Sequence, residues 1–336
     1  MKKKQKSFSR VGLDIGNHSV KFVEMTVSKG KVTLRQALLR PLESQAAVEN
    51  ITPIIKPLLE NIKAASEHVR LVLSGSSLLC RCVQMPLMTQ NELKGAIRFE
   101  AENHIAFPID DCILDFQILN QVSEKKTMNV LLVAAKRDFI QERVRQLTDL
   151  EIRPEAIDVD TFCLVNAHEA LGETQEKPFG LLNVGHRVTS FAIMKGGLPL
   201  FVREIPLGGA AVTKALTEEK GLGEPEAENY KVAHHPDSLE ELKTATHKGF
   251  ESLAEELKHS LDYFENDAGE PLTRVLLSGG GGLAEAAPAF FTEALGKEVV
   301  LWDNLKKLEV DPAVDRKFLE EHAPLFNVAF GLALRG

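Results

Sequence analysis

The stretch Val11-Gly12-Leu13-Asp14-Ile15-Gly16-Asn17-His18-Ser19-Val20-Lys21-Phe22-Val23-Glu24-Met25 decides the fold. An apolar run leads into Asp14, a tight polar turn follows with Gly16 at its centre, and Val20 and Phe22 open a second run. Two short β-runs about a glycine-containing loop predict a hairpin. Gly16 has no Cβ, so backbone N–H groups of the turn can close on an anion. Asp14 ends the first strand where a water-bridged cation can sit, and Lys21 reaches back as a point charge for phosphate. Alone, the same residues also describe an ordinary hairpin with a charged rim.

A related stretch returns later as Phe179-Gly180-Leu181-Leu182-Asn183-Val184-Gly185-His186-Arg187-Val188-Thr189-Ser190. Asn183 stands 169 residues after Asp14, and half of the 336-residue chain is 168. A repeat at half the chain length predicts two similar lobes, each presenting a strand–turn–strand to a shared cleft. A third element, Arg274-Val275-Leu276-Leu277-Ser278, is a buried-strand run that ends in Gly279-Gly280-Gly281-Gly282. Glycines between a strand and a helical segment let the backbone lie against a flat ligand or a phosphate. One such turn is a weak signal; three in this order, two of them repeated, are a strong one.

These three turns resemble the two phosphate motifs and the adenosine motif of the actin-like ATPase superfamily, which includes actin, sugar kinases and FtsA. The whole chain is similar to the PilM family within it, the cytoplasmic actin-like proteins of type IV pilus assembly. The stretches that carry this likeness run from Gly12–Gly16 through Leu87–Leu93, Ile157–Asp160, Glu204–Gly209 and Ala227–Lys231 to the closing Ala329–Gly336. The resemblance implies a duplicated, ribonuclease H-like, two-lobed α/β fold with a small α/β insertion, called 1C in that family. It implies ATP with Mg²⁺ as cofactors. The first phosphate loop would be Asp14, Gly16, Asn17, His18, Ser19 and Lys21; the second, Asn183, Gly185 and Thr189. Gly208 and Gly209 would approach the cleft, Glu228 and Lys231 would lie beside ribose or adenine, and Gly279, Gly280 and Gly281 would back the adenosine. Asp14 and Asn183 would hold the metal through water.

Asn183 departs from the superfamily pattern, which has Asp there, and His18 replaces a small hydroxyl residue. An amide still accepts a hydrogen bond from a metal-bound water but adds no negative charge. Both changes weigh against hydrolysis more than against binding. Asp158 and Asp160 stand near the position where the family orients attacking water. Their plainer role is a strand-end carboxylate capping the next helix. The partner implied by the family is the N-terminal cytoplasmic segment of the membrane protein PilN, lying in a groove between subdomains 1A and 1C. The function implied is an ATP-binding scaffold held at the cytoplasmic face of the inner membrane through that partner. Two rivals are a small kinase or ATPase of the same superfamily, with Asp158 or Asp160 as base, and an FtsA-like filament former. The latter normally ends in an amphipathic membrane helix, whereas this chain stops at Gly336 directly after its last core segment.

Bulk properties agree with a scaffold in water. A net charge of −8 argues against nucleic-acid binding by bulk charge. No apolar run approaches the ~20 residues that span a bilayer. The start, Met1-Lys2-Lys3-Lys4-Gln5-Lys6, has no apolar segment behind it and reads as a solvated basic tail that favours anionic lipid at most. Cys80 and Cys82, two residues apart on one strand, do not have a zinc spacing, and all four cysteines are expected reduced.

Along the chain, 9–75 and 151–177 form the first lobe, 76–150 the insertion, 178–212 and 269–324 the second lobe, and 213–268 its helical subdomain. A closing helix at 325–336 packs back near the lobe interface. The pattern predicts a strand turn at Ser28-Lys29-Gly30-Lys31 and a helix over 46–66. Thr89-x-x-Glu92 is a capping box. It opens a helix with the stripe Leu93, Ala96, Ile97, Ala101 and Ile105. A second stripe, Phe250, Leu253, Ala254, Leu257, Leu261 and Phe264, marks a helix over 249–264. The insertion is expected to dock on the first lobe and leave a partly apolar groove. His234-His235 lack metal spacing and read as surface, and Trp302 reads as packing.

Overall fold

The computed structural model describes residues 8–28, 31–42, 50–60, 68–75, 77–172, 175–232 and 239–335. The basic tail Lys2–Lys6, the centre of the turn at 29–30, His234-His235 and Gly336 lie outside them, as do 46–49 and 61–66 of the first expected helix. What is described of that helix is α1 (Thr52–Glu60).

The first strands are β1 (Phe8–Ile15), β2 (Ser19–Ser28), β3 (Lys31–Pro41) and β4 (Val69–Leu73). Next come β5 (Leu78–Pro86), α2 (Gln90–Glu102), β6 (Cys112–Val122), β7 (Thr127–Lys136) and α3 (Arg137–Thr148). The chain then forms β8 (Ala156–Val159), α4 (Asp160–Leu171), β9 (Phe179–Val184), β10 (Thr189–Lys195) and β11 (Leu198–Ile205). Three helices follow, α5 (Ala210–Lys220), α6 (Glu224–Val232) and α7 (Leu239–Ala268). Last are β12 (Arg274–Ser278), α8 (Ala287–Leu295), β13 (Glu298–Leu301), β14 (Glu309–Val310), α9 (Arg316–His322) and α10 (Asn327–Leu334).

Duplication is written in the sheet topology. One sheet runs β14-β3-β2-β1-β4-β8 and another β11-β10-β9-β12-β13. In each, an antiparallel three-strand meander continues through its first strand into two parallel strands, β1 to β4 to β8 and β9 to β12 to β13. Parallel pairing needs a crossover over the sheet face, so helices cover both sheets. This is the two-lobed α/β fold expected from the repeat.

Residues 78–136 build a third sheet, β5-β7-β6, antiparallel throughout. Its helix α2 starts on the expected capping box, with Glu92 N–H donating to Thr89 Oγ1 at 3.3 Å and Thr89 N–H to Glu92 Oε2 at 2.7 Å. Leu93, Ile97 and Ala101 of the stripe are buried against Val130 and Leu132. The sheet docks on the first lobe, as expected, and on the second lobe as well. Leu78 and Ala135 pack on Val159 of the first lobe, and Cys80 and Leu131 share a core with Ala192 and Val202 of the second. Cys82 Sγ also donates to Pro199 O at 3.6 Å.

The α7 stripe is buried in full in the second lobe. Trp302 is buried in the core shared between the lobes. The four cysteines are free thiols. Helix α10 is buried between β1 and α4. A Cβ on Gly331 would sit 1.6 Å from Cys163 O, and one on Gly12 would sit 2.2 Å from Ala329 O. These two glycines set how closely the closing helix approaches. Among the described residues, no helix is long and apolar enough to cross a membrane.

Candidate functional site

The two hairpin turns face one another across a cavity of about 750 Å³. They are built alike. Gly16 N–H donates to Ser19 O at 3.1 Å, and Gly185 N–H donates to Val188 O at 3.0 Å. In the strands that carry them, Asp14 lies opposite Lys21 and Asn183 opposite Ser190. The repeated sequence therefore produces a repeated register, with Asp14 and Asn183 at matching strand ends.

In the first turn, Lys21 Nζ lies 3.3 Å from Asp14 Oδ2 and 3.4 Å from Ser19 O. A Cβ on Gly16 would come 3.0 Å from that Nζ and 3.1 Å from Ser19 O, so the bare glycine leaves room for the ammonium over the turn. In the second lobe, Ser278 Oγ donates to Asn183 Oδ1 at 3.4 Å. Gly279 follows with φ +86°, and a Cβ there would lie 2.4 Å from Val184 O and 2.7 Å from Asn183 Oδ1. Only glycine fits this conformation and this approach. Gly279, Gly280 and Gly281 thus form a bare backbone wall of the cavity.

Helix α6 supplies Glu228 and Lys231. Lys231 Nζ lies 2.6 Å and 2.7 Å from the two Glu228 oxygens. It also donates to Thr213 Oγ1 at 3.0 Å and Gly209 O at 3.3 Å. Burial pushes Glu228 up, but the Lys231 ammonium and hydrogen bonds from Lys231 and Thr213 hold it below the usual range. Burial draws Lys231 down, against the pull of Glu228.

Asp14, Gly16, Asn17, His18, Ser19, Lys21, Asn183, Gly185, Glu228, Lys231 and Gly279–Gly281 all line the cavity. Three of the expected residues stand behind it. Thr189 is buried and donates to Leu207 O at 2.7 Å. Gly209 N–H donates to Gly185 O at 2.8 Å. A Cβ on Gly208 would lie 2.6 Å from the same oxygen. These residues shape the second turn from its far side.

The two aspartates separate. Asp160 lines the cavity, is buried, and accepts from Ser190 Oγ at 2.5 Å. Burial pushes its carboxyl up to about 6. Asp158 is not in the lining; it pairs with Arg335 Nη1 at 3.2 Å and accepts from Asn166 Nδ2 at 3.3 Å. The N-cap of α4 is Val159, without a side-chain bond, but Asp160 Oδ1 accepts from the Thr161 N–H at 2.8 Å in the helix's first turn; Asp158 makes no such bond to α4's first N–H groups.

Sequence reasoning missed Ser74, His186 and Asn229 in the lining, along with Glu321, His322, Leu325 and Val328 from the end of the chain. His186 was findable, since it follows Gly185 as Asn17 follows Gly16. The C-terminal residues carried no local signal. The resulting site suits a phosphorylated ligand with an apolar or flat end: two turns whose backbone can offer N–H groups, one ammonium, a glycine wall, and a volume within the usual range for small-molecule pockets. Asp14 and Asn183 suit a hydrated divalent cation held through water.

The family model described as type IV pilus assembly protein PilM matches residues 12–336. A solved structure of a PilM–PilN type IV pilus biogenesis complex is similar, with 28% identity over 97% of this chain and 98% of that one and a TM-score of 0.85. The ethanolamine utilization protein EutJ from Carboxydothermus hydrogenoformans shares the fold, at 14% identity over 99% of this chain and 92% of that one, with a TM-score of 0.58. Two lobes built on the same strand order and a model matched almost end to end lead to one conclusion: the chain belongs to the PilM family of type IV pilus assembly proteins.

Proposed function

We propose that this protein is a nucleotide-binding scaffold of type IV pilus assembly that takes ATP with Mg²⁺ in the cavity between its lobes. It also binds the N-terminal cytoplasmic segment of a PilN-type membrane protein, which holds it at the inner membrane. The observation that carries the reading is the family match over 12–336, joined to the likeness to a PilM–PilN complex. Support for nucleotide comes from the paired turns, with Lys21 over the first and Gly279–Gly281 along the wall. Asp14 and Asn183 would hold the hydrated metal, Glu228 and Lys231 would border the ribose or adenine, and Gly208, Gly209 and Thr189 would brace the second turn. Nucleotide then acts as a ligand that closes the lobes and biases the partner groove.

Support for a peptide partner comes from the third sheet. Of the seven large apolar side chains exposed among the described residues, the insertion carries Leu87 between β5 and α2, Phe99 on α2 and Ile113 on β6, and Phe99 is 71% exposed. Exposed apolar side chains on this subdomain are available to a protein partner. A synthetic N-terminal peptide of a PilN-type protein should co-purify with the chain and raise its melting temperature, with ATP–Mg²⁺ present and absent. A peptide that neither co-purifies nor shifts the melt removes the partner.

One observation favours a second reading. Asp160 is a cavity-lining carboxyl pushed up to about 6, which suits a general base. Phosphate release at ordinary enzyme rates, on the order of 1–10³ s⁻¹, would make the protein an enzyme and not a scaffold.

A further inference from the structure

We propose that His18, His186 and Glu228 form a binding site for a divalent transition-metal ion, Zn²⁺ foremost, that ties the two lobes together. One ligand atom from each of the three lies within 4.8 Å of the other two. They come from three separate elements: the first-lobe turn, the second-lobe turn and α6. The two imidazoles stack with centroids 5.0 Å apart and an interplanar angle of 28°. His18 Nε2 is 4.0 Å from Glu228 Oε1. His186 Nδ1 is buried and has no hydrogen-bond partner among the described residues. A buried ring nitrogen without a partner is costly, and Nδ1 is one of the two atoms through which this imidazole can hold an ion.

Two imidazole nitrogens and a carboxylate oxygen are a donor set for Zn²⁺, Co²⁺ or Ni²⁺, with a fourth position left for water. Mg²⁺ prefers oxygen ligands and does not suit it. Zinc bonds of ~2.0–2.2 Å require ligand atoms to lie closer together than they do here, so the three side chains, two of them on facing turns, must close on the ion. The ion therefore favours the closed arrangement of the lobes by as much as it binds that arrangement better. Charges around the site oppose each other. Lys21, Lys231 and Arg187 disfavour a cation, while Glu228 and Glu224 favour it. Lys231 keeps Glu228 Oε2, Thr213 and Gly209 as partners when Oε1 turns to the ion. The site stands on its own side chains and does not rest on the nucleotide reading.

The test is a titration of Zn²⁺ into the full chain after chelator treatment, with Co²⁺ absorption as the coordination signature. One ion per chain should bind with visible Co²⁺ bands of nitrogen and oxygen ligation, and excess Mg²⁺ should not displace it. His18→Ala and His186→Ala should each weaken Zn²⁺ by at least about tenfold, with circular dichroism and urea midpoint unchanged. His18→Gln and His186→Gln keep size and polarity and should lose the ion equally, and they decide the matter where an alanine variant fails to fold. Wild-type protein that binds no Zn²⁺, or affinity unchanged in both variants because the ion sits elsewhere, overturns the proposal. Zn²⁺ binding as described in a protein that takes no ATP leaves this site standing and removes the nucleotide reading alone.

Discussion

Lys231 Nζ sits 2.6 Å from Glu228 Oε1, and the lysine side chain is 1% exposed while the glutamate keeps 16%. An ammonium that deep survives only because its partner and two further acceptors surround it. Lys231→Met leaves a largely buried Glu228 without its counter-charge. The expected loss is about 3 kcal/mol, at the lower end for a broken buried pair because Glu228 retains some solvent. The double variant Lys231→Met/Glu228→Gln should recover most of it. Urea unfolding of all three proteins checks the point, and losses that simply add would show that the two residues do not act as a pair.

Lys21 lies over the first turn against Asp14, positioned for a phosphate oxygen. Lys21→Ala should weaken ATP by ~1.5–3 kcal/mol, the worth of one charge-assisted contact. Thermal shift with ATP–Mg²⁺ reads the effect. Equal stabilisation of wild type and variant by ATP would take Lys21 out of the site.

Gly331 and Gly95 make opposite predictions from the same substitution. A Cβ at Gly331 would fall 1.6 Å from Cys163 O, so α10 must move off α4. Gly331→Ala should cost about 3 kcal/mol or more, the upper range for overpacking a core. At Gly95, inside α2, nothing lies within 4 Å of the added carbon. Gly95→Ala should therefore stabilise by about 0.5–1 kcal/mol through helix propensity alone. Denaturant midpoints moving the same way in both variants would contradict this account of the closing helix.

The hairpins were legible because their signals are local. Alternation, a turn glycine and a half-length repeat specify two strand pairs and their register without reference to the rest of the chain. The capping box at Thr89 and the apolar stripe of α7 were legible for the same reason. Asp158 and Asp160 show where local signals stop. Two residues apart at the junction of β8 and α4, one meets Arg335 and the other the cavity, and only packing tells them apart. The third sheet's contact with β11 depends on residues about 120 positions away, as the Cys82–Pro199 contact shows, and no pattern within 76–150 encodes it. The return of 325–336 to the lobe interface was expected, but that Leu325, just before α10, and Val328 within it line the cavity is again a tertiary fact.

Asn183 occupies the second strand end, matching Asp14 in the first, and holds its amide oxygen 3.4 Å from Ser278 Oγ. The amide accepts a hydrogen bond from metal-bound water but brings no charge. Wild-type turnover should be slow, and Asn183→Asp should raise it by restoring a second carboxylate to the metal's water shell. Phosphate release under saturating ATP–Mg²⁺ measures both. A variant no faster than wild type would show that the missing charge is not what limits hydrolysis.

Asp160 ties stability to pH. Burial lifts its carboxyl from 3.8 to about 6, with the Ser190 and Thr161 hydrogen bonds opposing and the charge of Asp14 adding. Its neighbour Glu204 is pushed well above the usual range by burial and by Asp160. The folded protein thus binds the Asp160 proton more tightly than the unfolded chain does. That contribution is fully present below about pH 4 and is lost as pH rises through about 6, a change on the order of 3 kcal/mol. His186 has the opposite slope: burial lowers it to about 4, so its contribution is present above its ordinary 6.5 and lost on acidification. Asp160→Asn is permanently neutral and leaves His186 in place, so the histidine cancels in the difference between the two proteins. Wild type should therefore lose stability relative to Asp160→Asn as pH rises from about 4 to about 7. Urea midpoints across that range decide it, and parallel curves would mean that Asp160 does not titrate inside the fold.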